Sequence, residues 1–418
     1  MHVLDDLTAR GLIAHVTDID ALRADMSTAS ITYYVGFDPT APSLHIGNLL
    51  QLLTARRLQN AGHRPLILVG GSTGLIGDPK DVGERIMNSK ETVSEWVERI
   101  RSQVSLFVSF EGDNAAVLVN NLDWTANLST IDFLRDIGKH FPINKMLARE
   151  VVSSRLESGI SYTEFSYVLL QSLDYLNLHR TYGCSLQTGG SDQWGNITAG
   201  VDLVRRADGA KVHALATPLV TKADGTKFGK TESGTVWLDP ELLSPYAFYQ
   251  SWMQAEDAKV IEYLKQFTFI ELDEIAQTEA DQLAQPGLRG AQRRLAFEVT
   301  ALVHGTAEAQ AAVDASAALF GNGDIGALAT TTLEAALREA GGIDNDTATV
   351  TLVDALVATG LVDSKSAARR AIAEGGAYVN NERVTDADYL LGREACLNGG
   401  WIVIRKGKRA VSGIKLPA

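Results

Sequence analysis

The chain has 418 residues, which is too long for one ordinary hydrophobic core and predicts two or three domains. An apolar share of 45% is typical of soluble globular proteins, and no apolar run is long enough to span a bilayer, which disfavours a membrane protein. The net charge of −13 disfavours nucleic-acid binding by the chain as a whole, but residues 351–418 hold ten Lys/Arg against seven Asp/Glu, a net-basic module on an acidic body.

Short apolar runs alternate with helical patterns from residue 31 to about residue 221. This alternation predicts βαβ units around a parallel sheet, with ligands at the carboxyl ends of the strands. The predicted fold class is therefore α/β, beginning with a Rossmann-like catalytic domain over residues 1–244. The predicted strands are 31–37, 65–69, 115–119 and 185–187, and the predicted helices are 49–58, 92–107, 130–138 and 163–176.

The rest of the chain shows two different patterns. Strand signals vanish over residues 245–320, where Ala, Glu, Gln and Leu predominate, and an all-helical domain is predicted. Glycines then mark a linker over 321–350 that holds one short helix at 332–340. Residues 351–418 are predicted to form a small α+β domain, in which Ser364 begins a helix and short strands follow.

The segment 38–48 connects the first predicted strand to the helix that follows it. Unpaired backbone N–H groups and the positive dipole end at a helix start attract an anion, and the imidazole of His45 adds a donor. Gly47 lets the backbone approach a ligand closely, while Thr40 and Asn48 supply short polar side chains. A lone histidine is more often a satisfied surface or core residue, but this junction predicts a phosphate site.

A second cluster lies beyond the middle of the chain, where Lys227, Lys230 and Thr231 fall within five positions. Two ammonium groups and a hydroxyl suit the charge that builds on pyrophosphate as it leaves. Three residues separate the nearby glycines where a Walker A loop needs four, so a P-loop ATPase is not indicated. A solvated loop is the alternative interpretation. Together with the predicted phosphate site, the cluster predicts a nucleotide-activating enzyme.

Three further segments are predicted to face the same crevice. A glycine-rich loop after the second strand lacks GxGxxG and ends at Asp78, whose carboxylate suits an amine. Tyr167, Gln171 and Asp174 share one face of an otherwise apolar helix, where an unpaired buried carboxylate is costly. The loop 187–196, rich in glycine and polar residues at a strand end, predicts a ligand wall.

The cysteines and the start of the chain indicate the compartment. Cys184 and Cys396 are far apart and form no CxxC or Cys/His pattern, so neither a zinc site nor a disulfide framework is expected. Residues 1–6 contain acids and no basic stretch before an apolar run, so no signal peptide is expected. We therefore expect a cytoplasmic protein with no protein-ligated metal and no membrane partner.

Four segments carry specific residue patterns: 34–40 (Tyr-Val-Gly-Phe-Asp-Pro-Thr), 45–48 (His-Ile-Gly-Asn), 189–196 (Gly-Gly-Ser-Asp-Gln-Trp-Gly-Asn) and 227–231 (Lys-Phe-Gly-Lys-Thr). These segments resemble bacterial tyrosyl-tRNA synthetases, a family of class I aminoacyl-tRNA synthetases, and the resemblance extends over nearly the whole chain. It implies tyrosine–tRNA ligase activity, with L-tyrosine, ATP accompanied by Mg²⁺, and tRNA(Tyr) as partners. It also implies a homodimer, to which residues 127–155 would contribute, and makes 245–320 the anticodon-recognition domain.

The resemblance also implies roles by position. Tyrosine would be bound by Tyr34, Asp78, Tyr167, Gln171, Asp174 and Gln193. ATP would be bound by Gly36, Asp38, Gly47, Asp192 and Lys230, and catalysis would rest on Thr40, His45, Asn48, Lys227, Lys230 and Thr231. Segments 364–370 and 376–380 resemble the RNA-binding module first known from a ribosomal small-subunit protein. The clustered basic residues predicted to bind tRNA phosphates are Lys365, Arg369, Arg370, Arg383, Lys406, Lys408 and Arg409.

Two alternatives stay open. A tryptophanyl-tRNA synthetase is the nearest rival within class I, but the appended basic module and the pair Tyr34 and Asp174 favour tyrosine. A non-catalytic RNA-binding protein built on a synthetase fold is the second, and intact His45, Lys227 and Lys230 count against it. The segment 80–85 is one residue shorter than in the family pattern, so no role is assigned to it.

Overall fold

The structure is a computed structural model that describes residues 1–79, 88–231, 234–320, 323–407 and 410–417. The segment 80–85, Lys408 and Arg409 lie outside the described residues, and so do the side chains of Lys230 and Thr231. The chain divides into two compact units. The first holds Met1–Asp239 and Glu256–Pro286, and the second holds Pro240–Ala255 and Gly287–Ala418.

The part of the chain before residue 240 contains eleven α-helices and eight strands within the described residues. The helices are α1 Val3–Ala9, α2 Ile19–Thr28, α3 Ile46–Asn60, α4 Thr73–Ile76, α5 Lys90–Val104, α6 Leu122–Thr125, α7 Thr130–Asp132, α8 Ile143–Leu147, α9 Glu150–Ser153, α10 Tyr162–Tyr182 and α11 Trp194–Asp208. The strands are β1 His15–Val16, β2 Thr32–Phe37, β3 Arg64–Val69, β4 Val117–Asn120, β5 Cys184–Gly190, β6 His213–Thr217, β7 Lys230–Thr231 and β8 Gly234–Thr235.

Helices predominate in the next part, and strands return near the end of the chain. The helices are α12 Pro245–Met253, α13 Val260–Phe267, α14 Leu272–Ala284, α15 Gly290–His304, α16 Thr306–Phe320, α17 Thr330–Glu339, α18 Leu352–Ala358 and α19 Lys365–Ala373. The strands are β9 Ile343–Asp344, β10 Val350–Thr351, β11 Ala377–Val379, β12 Glu382–Val384, β13 Leu390–Leu391, β14 Trp401–Lys406 and β15 Ala410–Lys415.

The first unit is built on a six-stranded sheet with the order β1-β6-β5-β2-β3-β4. All neighbouring strands are parallel except β1, which pairs antiparallel with β6. From β2 the chain proceeds to β3 and β4 on one side and then to β5 and β6 on the other, so the strand order reverses between β2 and β5. The carboxyl ends of strands at such a switch point form the crevice in which open α/β sheets bind ligands. The predicted α/β fold class is confirmed.

Local sequence explains where the site-bearing elements begin and end. β2 is rich in aromatic and β-branched residues, and four of its six side chains are buried. Ser161 caps α10 by accepting a hydrogen bond from the Glu164 N–H, and Gly183 ends it in the left-handed conformation at φ 65°. α10 therefore runs six residues beyond its predicted end, because Leu176 and Leu178 remain buried on the core side.

Two predicted elements differ from the structure in form. The helix predicted over 130–138 is divided into α7 and a π-helical turn at Phe133–Ile137, a change of hydrogen bonding that side-chain periodicity does not reveal. The strand predicted over 115–119 begins two residues later, at Val117. No helix in the described ranges is long and apolar enough to cross a membrane.

The second unit combines packed helices with the C-terminal module. Its five-stranded sheet has the order β12-β11-β14-β15-β9, and α18 and α19 bury Leu352, Leu356 and Ile372 in the module's core. The segment predicted as a linker contains α17 and β9, and β9 pairs parallel with β15. The boundaries 1–244, 245–320 and 351–418 stay a prediction, and residues 256–286 pack with the first unit.

Candidate active site

A cavity of about 480 Å³ opens at the carboxyl ends of β2 and β5 in the first unit. This volume lies in the range of small-molecule sites. Every residue that the sequence assigns to tyrosine, ATP or catalysis lines this cavity, apart from Lys230 and Thr231, whose side chains are not described. The structure thus gathers residues from positions 34 to 227 around one space.

Tyr34 and Asp174 form the deep end of the cavity. Both are 2% exposed, and burial raises the pKa of the Asp174 carboxyl to about 8. The Asp174 oxygens accept hydrogen bonds from Asn121 Nδ2 at 3.0 Å and Trp124 Nε1 at 2.9 Å. The Tyr34 hydroxyl has no hydrogen-bond partner in the described part of the chain, and burial raises its pKa well above the usual value. An apolar pocket holding an orphaned hydroxyl and a carboxyl suits a ligand with a hydroxyl of its own.

A second polar group lies around Asp78. Its oxygens accept hydrogen bonds from Gln193 Nε2 at 2.8 Å and Asn196 Nδ2 at 3.2 Å, and Arg149 donates to Asn196. Gln171 presents a buried Oε1 with no hydrogen-bond partner among the described residues. An oriented carboxylate beside an orphaned amide acceptor suits a ligand ammonium group.

Asp38 anchors the junction after β2. Its two oxygens accept hydrogen bonds from Thr73 Oγ1 and from the Tyr167 hydroxyl, each at 2.6 Å. The Asp38 carboxylate and burial both act on Tyr167, and burial, the larger cause, raises the pKa of its phenol well above the usual value. A Cβ at Gly70 would lie 2.0 Å from Asp38 Oδ1, so only glycine fits there. Asp38 thus fixes the loops that follow β2 and β3 rather than presenting a bare carboxylate.

His45 begins helix α3, and its ring has a defined orientation. Nδ1 accepts a hydrogen bond from Gly47 N at 3.0 Å, and Asn48 Oδ1 accepts one from His45 N at 3.1 Å, which completes a capping box. Because Nδ1 is the acceptor, the neutral ring carries its proton on Nε2, which is therefore a donor. His45, Gly47 and Thr40 are exposed at the cavity wall. The backbone N–H groups of Ile46, Gly47 and Asn48 donate within the protein, so the ring of His45, rather than the helix backbone, is the donor at this helix start.

The described residues 220–231 and 234–237, called here the lysine loop, contribute to the cavity lining and pair with the segment before α3. Ile46 N donates to Val236 O at 3.2 Å, and Leu238 N donates to Leu44 O at 2.9 Å. Gly229 adopts φ 90°, and a Cβ there would lie 3.2 Å from Ile46. Lys227 lines the same cavity as His45. The imidazole and this ammonium group therefore face one space, as the sequence predicts.

Sequence reasoning missed the residues that hold the ligand-facing groups. Asn121, Trp124 and Thr73 orient the acidic groups, and Gln51 places a buried Oε1 without a hydrogen-bond partner in the described chain. Gln187, whose buried Oε1 likewise has no partner among the described residues, belongs to the loop 187–196 that the sequence predicts to be a ligand wall. Asn121 and Trp124 lie outside any motif and give no local signal. For Gln51 the signal was a polar residue in the apolar run that begins α3.

The described members of the predicted RNA-binding set lie in the second unit, and none of them lines this cavity. Arg369, Arg370 and Lys406 are exposed, and Lys365 pairs with Asp354 at 2.7 Å. Arg383 donates to a backbone carbonyl at 3.2 Å. Arg405, which is not among the predicted residues, lies 5.7 Å above the Tyr378 ring and donates a hydrogen bond to Asn381.

The fold and the cavity define a class. A parallel sheet that reverses its strand order, a histidine capping the helix after the first parallel strand, and a lysine loop facing that histidine are the arrangement of a class I aminoacyl-tRNA synthetase. A family model described as tRNA synthetases class I (W and Y) matches residues 26–321, and one described as Tyrosine--tRNA ligase SYY-like C-terminal domain matches residues 333–412.

Curated relatives and solved structures show which family within this class the chain belongs to. The chain is 58% identical over 421 residues to a tyrosine–tRNA ligase of Acidothermus cellulolyticus and 58% identical over 419 residues to one of Kineococcus radiotolerans, with 99% of each chain covered in both comparisons. A C-terminally truncated mitochondrial tyrosyl-tRNA synthetase of Coccidioides posadasii is 32% identical with a TM-score of 0.67, covering 75% of this chain and 91% of that one. This chain belongs to the tyrosine–tRNA ligase family.

Proposed function

We infer that the chain is a tyrosine–tRNA ligase that activates L-tyrosine with ATP and transfers it to tRNA(Tyr). The observation that carries this inference is the single cavity with an orphaned hydroxyl and a buried carboxyl at one end and His45 and Lys227 at the other. Such a cavity accommodates a phenol and a triphosphate together. Tryptophan offers no hydroxyl for Tyr34 and Asp174, so the tryptophanyl alternative is disfavoured.

The chemistry requires no nucleophile from the protein. The tyrosine carboxylate attacks the α-phosphorus of ATP, the bond to the β-phosphate oxygen breaks, and pyrophosphate leaves. A ribose hydroxyl of the terminal adenosine of tRNA then attacks the tyrosyl carbonyl, and AMP leaves. The protein contributes by orienting both substrates and by placing donors where negative charge develops.

We propose distinct tasks for the groups on the cavity wall. Asp174 accepts a hydrogen bond from the phenolic hydroxyl of tyrosine and Tyr34 donates one to the phenolic oxygen, while Asp78, Tyr167 and Gln171 surround the ammonium group. Gln193 and Asp192 lie toward the carboxylate and ribose. His45 Nε2 and Lys227 meet the phosphates, with Thr40, Asn48, Lys230 and Thr231 completing that end.

Mg²⁺ is proposed to arrive with the ATP phosphates. The described residues hold no group of three or more His, Cys, Asp or Glu side chains that could bind a metal. We propose that the ATP phosphates supply the ligands of Mg²⁺. When bound, it neutralises charge on the phosphate oxygens. His45 and Lys227 complement that role at the cavity mouth.

We also propose a cytoplasmic homodimer. Within and beside the region 127–155, large apolar side chains are exposed: Ile131 by 69%, Ile143 by 59% and Leu134 by 46%. Such a concentration marks a surface that a partner covers. Sedimentation at micromolar concentration should give twice the chain mass of 45.0 kDa, and a monomer would reject the dimer.

The activity is tested by tyrosine-dependent exchange of labelled pyrophosphate into ATP. Exchange should require tyrosine, should proceed without tRNA, and should not be supported by tryptophan or phenylalanine. Tyrosine charging of tRNA(Tyr) should follow when tRNA is added. Absence of exchange in the folded full chain would reject the catalytic proposal and favour a non-catalytic RNA-binding protein.

Reversing the charges of Arg369 and Arg370 together is expected to weaken tRNA binding by the C-terminal module. Phosphate neutralisation releases counterions, so the slope of log affinity against log salt should fall by about 1 for each phosphate that the variant no longer neutralises. Pyrophosphate exchange should not change, because α19 lies in the second unit. The measurement is a tRNA titration at several salt concentrations.

The matched control reverses Arg99 and Arg101, two exposed arginines on α5 whose partners are also exposed. It changes the net charge equally. If both double variants alter the salt slope alike, the effect is one of overall charge and the assignment of Arg369 and Arg370 is wrong.

A further inference from the structure

Helix α13 contacts the lysine loop through one aromatic side chain. The Tyr263 ring is 1% exposed and lies 4.7 Å, centroid to centroid, from the Phe228 ring. Its hydroxyl donates to the Thr221 carbonyl oxygen at 2.8 Å. Thr221 in turn pairs with Lys227 across the base of the loop. Tyr263 therefore touches both segments from which the loop projects.

A second contact comes from Glu256, four residues before the start of this helix. Glu256 Oε2 accepts a hydrogen bond from Ala223 N at 2.8 Å. Ala223 lies in the turn between Thr221 and Lys227, where Gly225 N also donates to Lys222 O at 3.0 Å. The segment that begins at Glu256 thus holds the outer turn of the loop as well as its base.

The other end of α13 is fixed to the helix that His45 caps. Arg57, on the last turn of α3, donates to the carbonyl oxygen of the C-cap residue Thr268, and Arg10 Nη1 donates to the Lys265 carbonyl oxygen in the last turn of α13 at 3.3 Å. Both arginines are buried, and Arg57 also lies 4.5 Å above the Phe269 ring. Because helix C-terminal carbonyls favour cations, these two side chains hold the end of α13 firmly. α13 is therefore a fixed support shared by the lysine loop and by α3.

We propose that Tyr263 is a positioning residue for adenylate formation, which holds Phe228 and the Thr221 carbonyl so that Lys227 faces the phosphate end of the cavity. The role rests on the proposed ATP chemistry and extends it to a residue that does not line the cavity. Its effect falls on the ATP step, because the contacts of Tyr263 with Phe228 and Thr221 lie at the lysine loop. A misplacement of about 1 Å at a reacting group costs roughly 100-fold in rate.

The experiment compares Tyr263→Leu and Tyr263→Phe with the native chain. Tyr263→Leu should lower the kcat of pyrophosphate exchange by about 10- to 100-fold and raise the KM for ATP, while tyrosine affinity stays within about twofold. Tyr263→Phe keeps the ring and should lose only about fivefold, the worth of one ordinary hydrogen bond. Leu264→Ala is the control, since Leu264 is equally buried on the next position of α13 and points away from the loop by the helical turn.

A double-mutant cycle with Phe228→Leu separates positioning from general destabilisation. The double variant should be little slower than Tyr263→Leu alone, because both changes remove the same ring contact. Additive losses, or equal losses in Leu264→Ala, would overturn the proposal. If Tyr263→Leu does not fold, Tyr263→Phe tests the proposal instead. A roughly fivefold loss of exchange rate with unchanged tyrosine affinity in that variant would support the positioning role, and an unchanged exchange rate would reject it. If the native chain catalyses pyrophosphate exchange and Tyr263→Leu is equally active, only the role of Tyr263 is rejected. If the native chain itself catalyses no exchange, the proposed function is rejected.

Discussion

Replacing His45 by alanine is expected to slow tyrosyl-adenylate formation by about 10²- to 10³-fold, since one preorganised donor at developing charge is worth roughly 2.7–4 kcal/mol. The ring is held by the hydrogen bond from Gly47 N, so Nε2 points its proton outward without reorganisation during the reaction. Tyrosine affinity should change little, because the phenol end lies at the opposite side of the cavity. Pre-steady-state formation of the adenylate measures the rate, and equilibrium dialysis measures tyrosine binding.

The same substitution removes a helix cap, which costs about 0.5–2 kcal/mol of stability. His2 provides a matched control, because its Nδ1 caps α1 by accepting from Leu4 N at 3.1 Å. His2→Ala should lose stability and keep its adenylate rate. His45→Asn should restore the cap and stay slow, since its shorter side chain does not place a donor where Nε2 lies. A normal rate in His45→Ala would remove His45 from the phosphate site.

The sequence predicted those strands and helices whose local pattern of apolar residues matches the burial of their side chains in the fold. Residues 33–37 of β2 and 65–69 of β3 are apolar and mostly buried, which is how strands covered on both faces read. β7 and β8 have two residues each and form only because the lysine loop folds back on itself. Such short pairs carry no periodicity to detect. Tertiary context, not propensity, determines them.

The residues of the candidate site also fall into those that the sequence predicts and those that it does not. His45 and Lys227 were predictable because each lies in a short segment whose composition has a chemical use. The groups that orient Asp174 were not, because Asn121 and Trp124 lie about fifty positions away and meet it only across the folded sheet. Tyr263 is similar, since its contact with Phe228 depends on how α13 packs. Sequence motifs do not reveal contacts between segments that are far apart in the chain.

Replacing Asp174 by asparagine is expected to weaken tyrosine binding by roughly 10- to 150-fold, the worth of one hydrogen bond to a charged group. Asn121 and Trp124 both donate to Asp174, so the arrangement is made for an acceptor, and the phenol is a third donor to the carboxylate. The side-chain amide of the asparagine would place its own N–H donors opposite the donors of Asn121, Trp124 and the phenol. Tyrosyl-tRNA synthetases are themselves the standard example of selectivity based on a substrate hydroxyl, and Tyr34→Phe should reduce discrimination against phenylalanine.

The raised pKa of Asp174 makes this prediction depend on pH. Below about pH 8 the carboxyl is largely protonated in the free protein, so tyrosine affinity should rise as pH increases from 6 toward 8. Stability should follow the opposite course. The unfolded carboxyl ionises near pH 3.9, so the native state holds an extra proton between about pH 4 and 8, and the stabilisation present below pH 4 is lost as pH rises through 8.

Asp174→Asn has no carboxyl to titrate, so both pH dependences should flatten in that variant. Calorimetric titration with tyrosine between about pH 6 and 8.5 measures the pH dependence of tyrosine affinity. The change of Tm with pH measures the pH dependence of stability. Glu164→Gln is the control, because Glu164 is a buried carboxylate on the same helix that pairs with Arg155 at 3.2 Å outside the cavity. It should lose stability and keep the pH dependence of tyrosine binding. An unchanged pH dependence in Asp174→Asn would show that another group titrates, and would separate Asp174 from recognition of the phenol.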